Sequence, residues 1–312
     1  MSFKLSNFWK NTYKNAQKAI KERESQLPDL PANTVELLEE KVKTAISIHL
    51  DEKKSPQTGD SKIGGSPDVT SDFEWPMRTG TDWESCNSTR YYVFFAQVNL
   101  KDICLHDDEN LLPSHGLLLF FYDYDGQYLS EVQDKLTAAK IVYYPDISEL
   151  EKGAFPKDYP QNRIIAENKL AFQPEDDFPK YDDFLIDHPC KAKYANRKPY
   201  REYLKKAGYS IPDTNSQLLG YPHWSYYNVE MGSYCASQGY KYLDAIQSKK
   251  KHQSMLAHWR EFVTLLQLDT KLMSDLSSEM QFADMGKIFF CLKKSDLKDL
   301  NFSHVYFDMQ GG

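Results

Sequence analysis

The sequence has few cysteines and no long apolar run, and both shortages restrict its class. Its five cysteines are scattered through 312 residues, and no two of them form a Cys-x-x-Cys pair. This pattern predicts free thiols in a reducing compartment, and it favours neither a disulfide framework nor a structural zinc site. The longest apolar runs, at 91–98 and 116–122, are far too short to cross a bilayer. We therefore expect a cytoplasmic protein without a transmembrane segment.

The sequence also lacks an excess of basic residues. It contains 38 Lys and Arg against 45 Asp and Glu, which gives a formal net charge of −7. Proteins that bind nucleic acid normally carry a concentrated basic footprint, so no nucleic-acid partner is expected. The densest basic cluster, "SKKKHQS" at 248–254, is interpreted as a solvated helix face.

The first residues show helical periodicity but no secretory signal. Apolar residues recur there at three- and four-residue spacing, which predicts an amphipathic helix, and lysines interrupt any apolar signal region. The polar side of this helix is basic, so it can lie on a membrane or dock on its own core. We expect docking, and no membrane contact. A second helix is predicted after Asn33 as N-cap, with Glu36 at capping-box spacing, so that 1–43 forms N-terminal helices packed on the core.

Four short motifs occur twice in the same order. A Gly-x-Pro turn comes first, a strand containing glutamine follows, a glycine then opens an apolar run, and a strand containing Val-Tyr closes the unit. In both units the second glycine lies nineteen residues after the glutamine. This agreement predicts an ancient duplication, with a first repeat unit at 44–150 and a second at 216–312. The paired positions are Gly65 with Gly220, Gln97 with Gln267, and Gly116 with Gly286.

The predicted fold class is α+β. The repeated runs are rich in β-branched and aromatic residues, which favours strands, and helices and strands do not alternate regularly as they would in a doubly wound fold. The fold is therefore expected to be a duplicated, mostly antiparallel β unit with N-terminal helices. Residues 151–215, rich in Pro, Asp, Lys and Tyr, are interpreted as a connecting segment that contributes some strand.

The stretch "SKIGGSPDV" at 61–69 raises the question of a phosphate site. It matches neither the Walker pattern nor Gly-x-Gly-x-x-Gly, and a serine hydrolase is disfavoured because no histidine follows an aspartate by three residues. No catalytic residue is therefore assigned. Lys62 with the amides of Gly64 and Gly65 can form an anion-binding nest, or the glycines can serve only to allow positive φ and close backbone approach.

Two glutamines in apolar strands are further candidates. Gln97 and Gln267 must satisfy buried amides, so each is expected to bond to a neighbouring loop, or both line a pocket shared by the two repeat units. Asp284, in the second unit's connection, completes the set of ligand-binding candidates. Carboxylates in "LHDDEN" at 105–110 are interpreted as loop solvation, so neither metal nor cofactor is expected. The aromatic segment "GYPHWSYYNVE" at 220–230 forms either a contact surface or part of the core.

Taken in order, these motifs resemble those of the YwqG-like family, a bacterial domain of unknown function. The resemblance rests on "SKIGGSPDV", "FFAQVNLKDI", "LPSHGLLLFF", "LLGYP", "WREFVTLLQLD" and "DMGKIFFCLKKSDL", and it covers about 44 to 310. The His-Trp pair after Tyr221 and Pro222 departs from many relatives. The resemblance implies one cytosolic domain and supplies no activity or catalytic residue. Some members lie beside polymorphic-toxin genes, which implies an immunity function for part of the family.

These observations favour a non-catalytic protein-binding module, and more specifically an immunity or toxin-neutralising protein. The acidic net charge and the aromatic loops suit a basic protein partner. The alternative is a small-ligand sensor or enzyme with its site between the two repeat units.

Overall fold

The structure is a computed structural model. It describes residues 30–81, 86–126, 132–189, 194–209, 215–274, 276 and 286–311. The helix predicted within residues 1–24 and the candidate ligand residue Asp284 lie outside the described residues, and both stay predictions.

The described residues form both helices and strands. The strands are β1 Lys43–Leu50, β2 Lys62–Ile63, β3 Asp68–Val69, β4 Met77–Thr81, β5 Asn87–Tyr91, β6 Val93–Asn99, β7 Leu117–Tyr122, β8 Ala139–Tyr144, β9 Glu151–Lys152, β10 Asn168–Asp177, β11 Gln217–Leu219, β12 Phe262–Asp269, β13 Lys287–Lys293 and β14 Tyr306–Gln310. The helices are α1 Thr34–Glu39, α2 Val132–Thr137, α3 Tyr181–Asp187, α4 Tyr194–Lys206, α5 Val229–Ser237, α6 Tyr242–Gln247, α7 Lys249–His258, α8 Thr270–Ser274 and α9 Lys294–Lys298.

Within the described residues, ten strands form one sheet in the order β14-β13-β12-β11-β1-β10-β2-β6-β7-β8. Its strands pair antiparallel wherever their register is resolved, for example β6 with β7 and β12 with β13. Two short antiparallel pairs, β3-β9 and β4-β5, lie apart from this sheet. The prediction of mixed helix and antiparallel sheet, α+β, is confirmed.

The sheet is held by apolar strands that are buried on both faces. All six residues of β7 are buried, which explains why its sequence is a continuous apolar run and does not alternate. The phenylalanine rings of Phe120 on β7 and Phe290 on β13 contact each other with centroids 5.4 Å apart. The rings of Tyr122 and Phe307 stack at 4.9 Å. Strands far apart in the sheet order therefore share one core.

Two sets of four strands occupy matching places in the sheet order. The set β2-β6-β7-β8 and the set β11-β12-β13-β14 lie on opposite sides of β1 and β10. In each set the second strand has an irregularity in its register with the third, between Phe94 and Ala96 in β6 and between Thr264 and Leu266 in β12. These sets contain the strands that the repeated motifs predicted.

The chain divides into two compact units. One contains residues 1–43 and 176–211, and the other contains 44–175 and 212–312. In the first, α1 and α3 contribute Leu38 and Phe184 to an apolar cluster. The segment interpreted as a connection, 151–215, is divided between the two units, and its residues 168–177 form the long strand β10.

Helix boundaries follow the sequence signals only in part. Helix α1 begins after Asn33 as expected, but the Asn33 side chain makes no capping hydrogen bond, and the helix ends at Glu39. The basic cluster at 248–254, interpreted as a helix face, is helical only after Ser248. That residue separates α6 from α7, because its backbone is extended and its hydroxyl accepts the N–H of Lys251. Among the described residues, no helix has the length and apolar character needed to cross a membrane.

Candidate functional site

The glycine loop at 64–65 is a close backbone approach. Both glycines have positive φ, +67° and +64°. A Cβ on Gly64 would lie 2.7 Å from the carbonyl oxygen of Ile165, and a Cβ on Gly65 would overlap the Glu167 carboxylate. The N–H of Gly64 donates to Phe95 O at 2.7 Å, and that of Gly65 donates to Ile165 O at 2.9 Å. An anion could use these amides only by displacing both hydrogen bonds, so the geometry favours the steric interpretation.

Lys62, the cationic candidate, is buried in an internal ion pair. Its side chain is 2 % exposed, and its Nζ lies 2.8 Å from Asp68 Oδ1 and 3.4 Å from Glu167 Oε2. The other oxygen of Asp68 accepts the Gly59 N–H at 2.8 Å and the side-chain amide of Gln97 at 2.5 Å. The ammonium group is therefore neutralised by Asp68, six residues along the chain, and by Glu167 from a distant segment, as buried charges require.

Gln97 and Gln267 make equivalent contacts in the two strand sets. Gln97 donates from Nε2 to the Asp60 carbonyl at 2.8 Å and accepts the Asp68 N–H at 2.9 Å. Gln267 donates from Nε2 to the Asn215 carbonyl and accepts the His223 N–H at 2.9 Å. Each amide thus holds the backbone both before and after the short strand paired with it. These contacts confirm the interpretation that each glutamine bonds to a neighbouring loop backbone.

The two loops differ in charge. Gln97 pairs in register with Lys62, whereas Gln267 pairs with Gln217, whose Nε2 donates to the carbonyls of Leu219 and Tyr221 at 3.1 Å. An uncharged side chain therefore stands at the second loop where the first has its buried lysine. Nearby, Lys287 donates to the His223 carbonyl at 2.9 Å, and burial lowers the pKa of Lys287 below its ordinary value.

The carboxylates of the connections are occupied by local hydrogen bonds. Asp107 accepts the N–H groups of Leu111 and Leu112, each at 2.7 Å, and burial raises the pKa of its carboxyl. Asp269 accepts the N–H groups of Asn215 at 2.9 Å and Leu272 at 3.1 Å. Over the described ranges, no three His, Cys, Asp or Glu side chains are grouped so that they could hold a metal ion.

The backbone of the aromatic segment at 224–227 is held by hydrogen bonds from one buried side chain. Gln310, 1 % exposed, accepts the N–H groups of Ser225 and Tyr226 at 2.8 and 2.9 Å and donates to the Tyr227 carbonyl at 3.0 Å. Its amide thereby fixes three consecutive residues. The aromatic segment is one of the features that the sequence indicates, whereas Gln310 is not, because a glutamine at a strand end carries no local signal.

Tyr227 is held from several directions. Its hydroxyl donates to Asp308 Oδ2 at 2.8 Å and accepts from Lys135 Nζ at 2.8 Å, and that ammonium lies 2.7 Å from the same carboxylate. Burial and the Asp308 charge raise the pKa of Tyr227 well above its ordinary value. Its ring stacks on Tyr242 with centroids 4.5 Å apart, and a Cβ on Gly232 would lie 2.7 Å from the Tyr227 ring.

Beside this fixed tyrosine, several side chains face solvent. Tyr226 is 66 % exposed, and Leu243 and Ile246 on α6 are 61 % and 48 % exposed. Lys249 and Lys250, at the start of α7, are exposed as well. We refer to these five residues as the α6 surface. The cationic pair follows Ile246 after only two intervening residues, 247 and 248.

The whole chain was compared with known proteins. A family model described as a domain of unknown function (DUF1963) matches residues 61–311. No curated protein matches the chain. The matched range begins at the loop of Lys62 and includes both glutamine strands and the α6 surface.

Proposed function

We propose that this chain, which belongs to the DUF1963 family, is a non-catalytic protein-binding module. The YwqG-like subgroup, with its bacterial origin, and a cytoplasmic location are finer parts of the same proposal. The location is supported by the free thiols of Cys86, Cys104, Cys235 and Cys291.

The observation that carries this proposal is the exposed Tyr226 on a fixed backbone. Its N–H is held by Gln310, and its neighbour Tyr227 is held by Asp308 and Lys135, yet the Tyr226 side chain is 66 % exposed. Tyrosine is among the residues that contribute most to protein interfaces, since it offers a large contact area at a low entropy cost. A tyrosine displayed on such a support is suited to binding a macromolecule.

The ligand-binding candidates are engaged in internal contacts, which supports the same proposal. Lys62 is paired with Asp68, and Gln97 and Gln267 are used by loop backbones. A small-ligand sensor or enzyme with its site between the repeat units remains the alternative. It has less support, because these side chains would have to leave internal partners before they contacted a ligand.

A toxin-neutralising immunity function is the more specific form of the proposal. Its support is the resemblance to YwqG-like proteins and the fixed surface, since an inhibitor that binds a toxin must offer a preformed contact area. No chemistry of its own is required for that function.

The chain is also proposed to be a duplication of one four-strand unit. Support comes from hydrogen bonds that recur at paired positions. The Asn99 N–H donates to the Ser61 hydroxyl at 2.8 Å, and the Asp269 N–H donates to the Ser216 hydroxyl at 3.0 Å. The paired glutamine contacts and the paired irregularities of β6 and β12 agree with these bonds.

Co-purification from native cytosol tests the proposed function. We expect a stoichiometric protein partner with the tagged full chain, and we expect Tyr226→Ala to weaken its retention at least about tenfold, as loss of a central aromatic residue does. The matched control is Leu105→Ala, because Leu105 is 88 % exposed and lies in the first half of the chain. The absence of any stoichiometric partner under all growth conditions contradicts the proposal.

A further inference from the structure

We propose that the α6 surface binds an acidic segment of another protein, and that this segment carries apolar side chains. The inference rests on the proposed protein-binding function. It adds the place of contact on this chain and the chemistry of the partner.

The apolar part of the surface consists of neighbouring side chains. Leu243 and Ile246 are three residues apart on α6, which places them on one face of the helix. Because the Tyr227 ring stacks on Tyr242, the adjacent residues Tyr226 and Leu243 lie at the same end of α6. A group of exposed apolar side chains on one surface marks an interaction site more often than single exposed residues do.

The support under these side chains is rigid. Gln310 fixes the backbone of Ser225 and Tyr226, and α6 begins with the Asp244 carboxylate accepting the N–H of Lys241. Ser248 caps the first turn of α7. A preformed surface loses little conformational entropy when a partner binds, so its exposed groups contribute more of their contact energy to affinity.

The lysines of this surface indicate the charge expected of the partner. Lys249 and Lys250 have no ion-pair or hydrogen-bond partner among the described residues. The Lys251 ammonium, in contrast, lies 4.6 Å from the centroid of the Tyr240 ring. Residues 241–251 hold four lysines against one aspartate, Asp244, so this stretch is locally basic on a chain of net charge −7. An acidic segment complements these lysines, whereas the basic partner expected from the net charge would be repelled there.

A protein segment fits this surface better than an anionic membrane. The net charge of −7 opposes approach to an anionic bilayer. Two lysines near such a surface contribute too little attraction to hold the chain there by themselves. Stable attachment to a membrane normally needs a larger inserted area or a second anchor.

Site-specific photo-crosslinking tests the proposal. A benzoylphenylalanine replaces Leu243 in the tagged full chain, and a second chain carries it at Leu105 as the matched control. After irradiation in native cytosol, mass spectrometry identifies the crosslinked peptide. We expect a peptide rich in Asp and Glu with apolar residues among them, captured from position 243 and not from 105.

The captured segment is then made as a labelled peptide, and its Kd for the full chain is measured. We expect Lys249→Glu with Lys250→Glu to weaken binding at least about tenfold and to remove most of its salt dependence. The matched variant Lys249→Arg with Lys250→Arg should keep the affinity, because it keeps both charges.

The outcomes separate this inference from the proposed function. A partner that co-purifies but crosslinks only from Leu105 overturns the α6 surface and leaves the proposed function standing. A neutral or basic captured segment overturns the acidic partner. Flotation of the chain with vesicles of phosphatidylcholine and 30 % phosphatidylserine, lost in the Glu variants, overturns the protein partner in favour of lipid. Failure to find any partner overturns both proposals.

Discussion

At the scale of single residues, Lys62 shows how burial changes the meaning of a charged side chain. A lysine two residues before a pair of glycines has the composition of an anion site, and the local sequence does not indicate that the Asp68 and Glu167 carboxylates contact its ammonium group. Asp68 lies six residues away, and Glu167 approaches from a distant part of the chain, 105 residues further on. Only the folded contacts show that the ammonium already has carboxylate partners.

We predict that Lys62→Met destabilises the protein by about 3–5 kcal/mol, because it leaves the buried Asp68 carboxylate without its counter-ion. Chemical denaturation followed by circular dichroism measures this change. The matched control is Lys152→Met. Lys152 pairs with Glu167 at 3.0 Å but is 59 % exposed, so its loss should cost less than about 1 kcal/mol.

A second variant keeps this test decisive if Lys62→Met fails to fold. Lys62→Met combined with Asp68→Asn removes both charges and should recover much of the lost stability. A Lys62→Met protein as stable as the parent would contradict the structural function of Lys62 and would favour the small-ligand alternative.

At the scale of elements, the strands were predictable where the sequence repeats itself. Runs such as 117–122 and 287–293 are continuously apolar because they form interior strands, each paired on both sides and buried on both faces. The long strand β10 was placed only loosely in a connecting segment, since it contains Pro174 and several acidic residues. Its place in the sheet depends on pairing with β2 across about a hundred residues, which no local pattern encodes.

The candidate site, like the strands, could be predicted from the sequence only in part. Gln97 and Gln267 were found because an amide in an apolar strand demands partners. Gln310 and the α6 surface were missed, because their arrangement depends on contacts between 225–227 and the last strand. Exposure of Leu243 and Ile246 likewise follows from tertiary packing, and helix periodicity alone does not reveal it.

The paired glutamines give a prediction at this scale. Gln97→Leu and Gln267→Leu each leave a loop N–H and a loop carbonyl without their partner, so each should cost about 2–6 kcal/mol, on the basis of roughly 1–3 kcal/mol for each unsatisfied buried group. Urea denaturation of the two variants measures both costs. Similar values support the proposed duplication. A large cost for one variant with none for the other contradicts the equivalent function of the two amides.

At the scale of the whole molecule, net charge and local charge point to different partners. The chain as a whole is acidic at −7, yet two exposed lysines without a partner among the described residues, Lys249 and Lys250, follow the exposed Leu243 and Ile246 closely in the sequence. Long-range fields follow the net charge, but they are screened within about 10 Å at ordinary salt, so the local surface determines which partner docks. A partner is therefore better inferred from the charges around a contact surface than from composition.

The two strand sets share one apolar core, which leads to a prediction about cooperative unfolding. The Phe120 ring from β7 meets the Phe290 ring from β13 edge to face, with centroids 5.4 Å apart. We expect Phe120→Ala and Phe290→Ala each to cost about 3–5 kcal/mol. The cost of the double variant should differ from the sum of the two single costs by a coupling energy of about 0.5–1.5 kcal/mol. Calorimetry should show both variants lowering the Tm of the same transition, because the rings belong to one core. Two separate transitions, each sensitive to only one of the substitutions, would mean that the strand sets unfold independently and that the shared core does not bind them together.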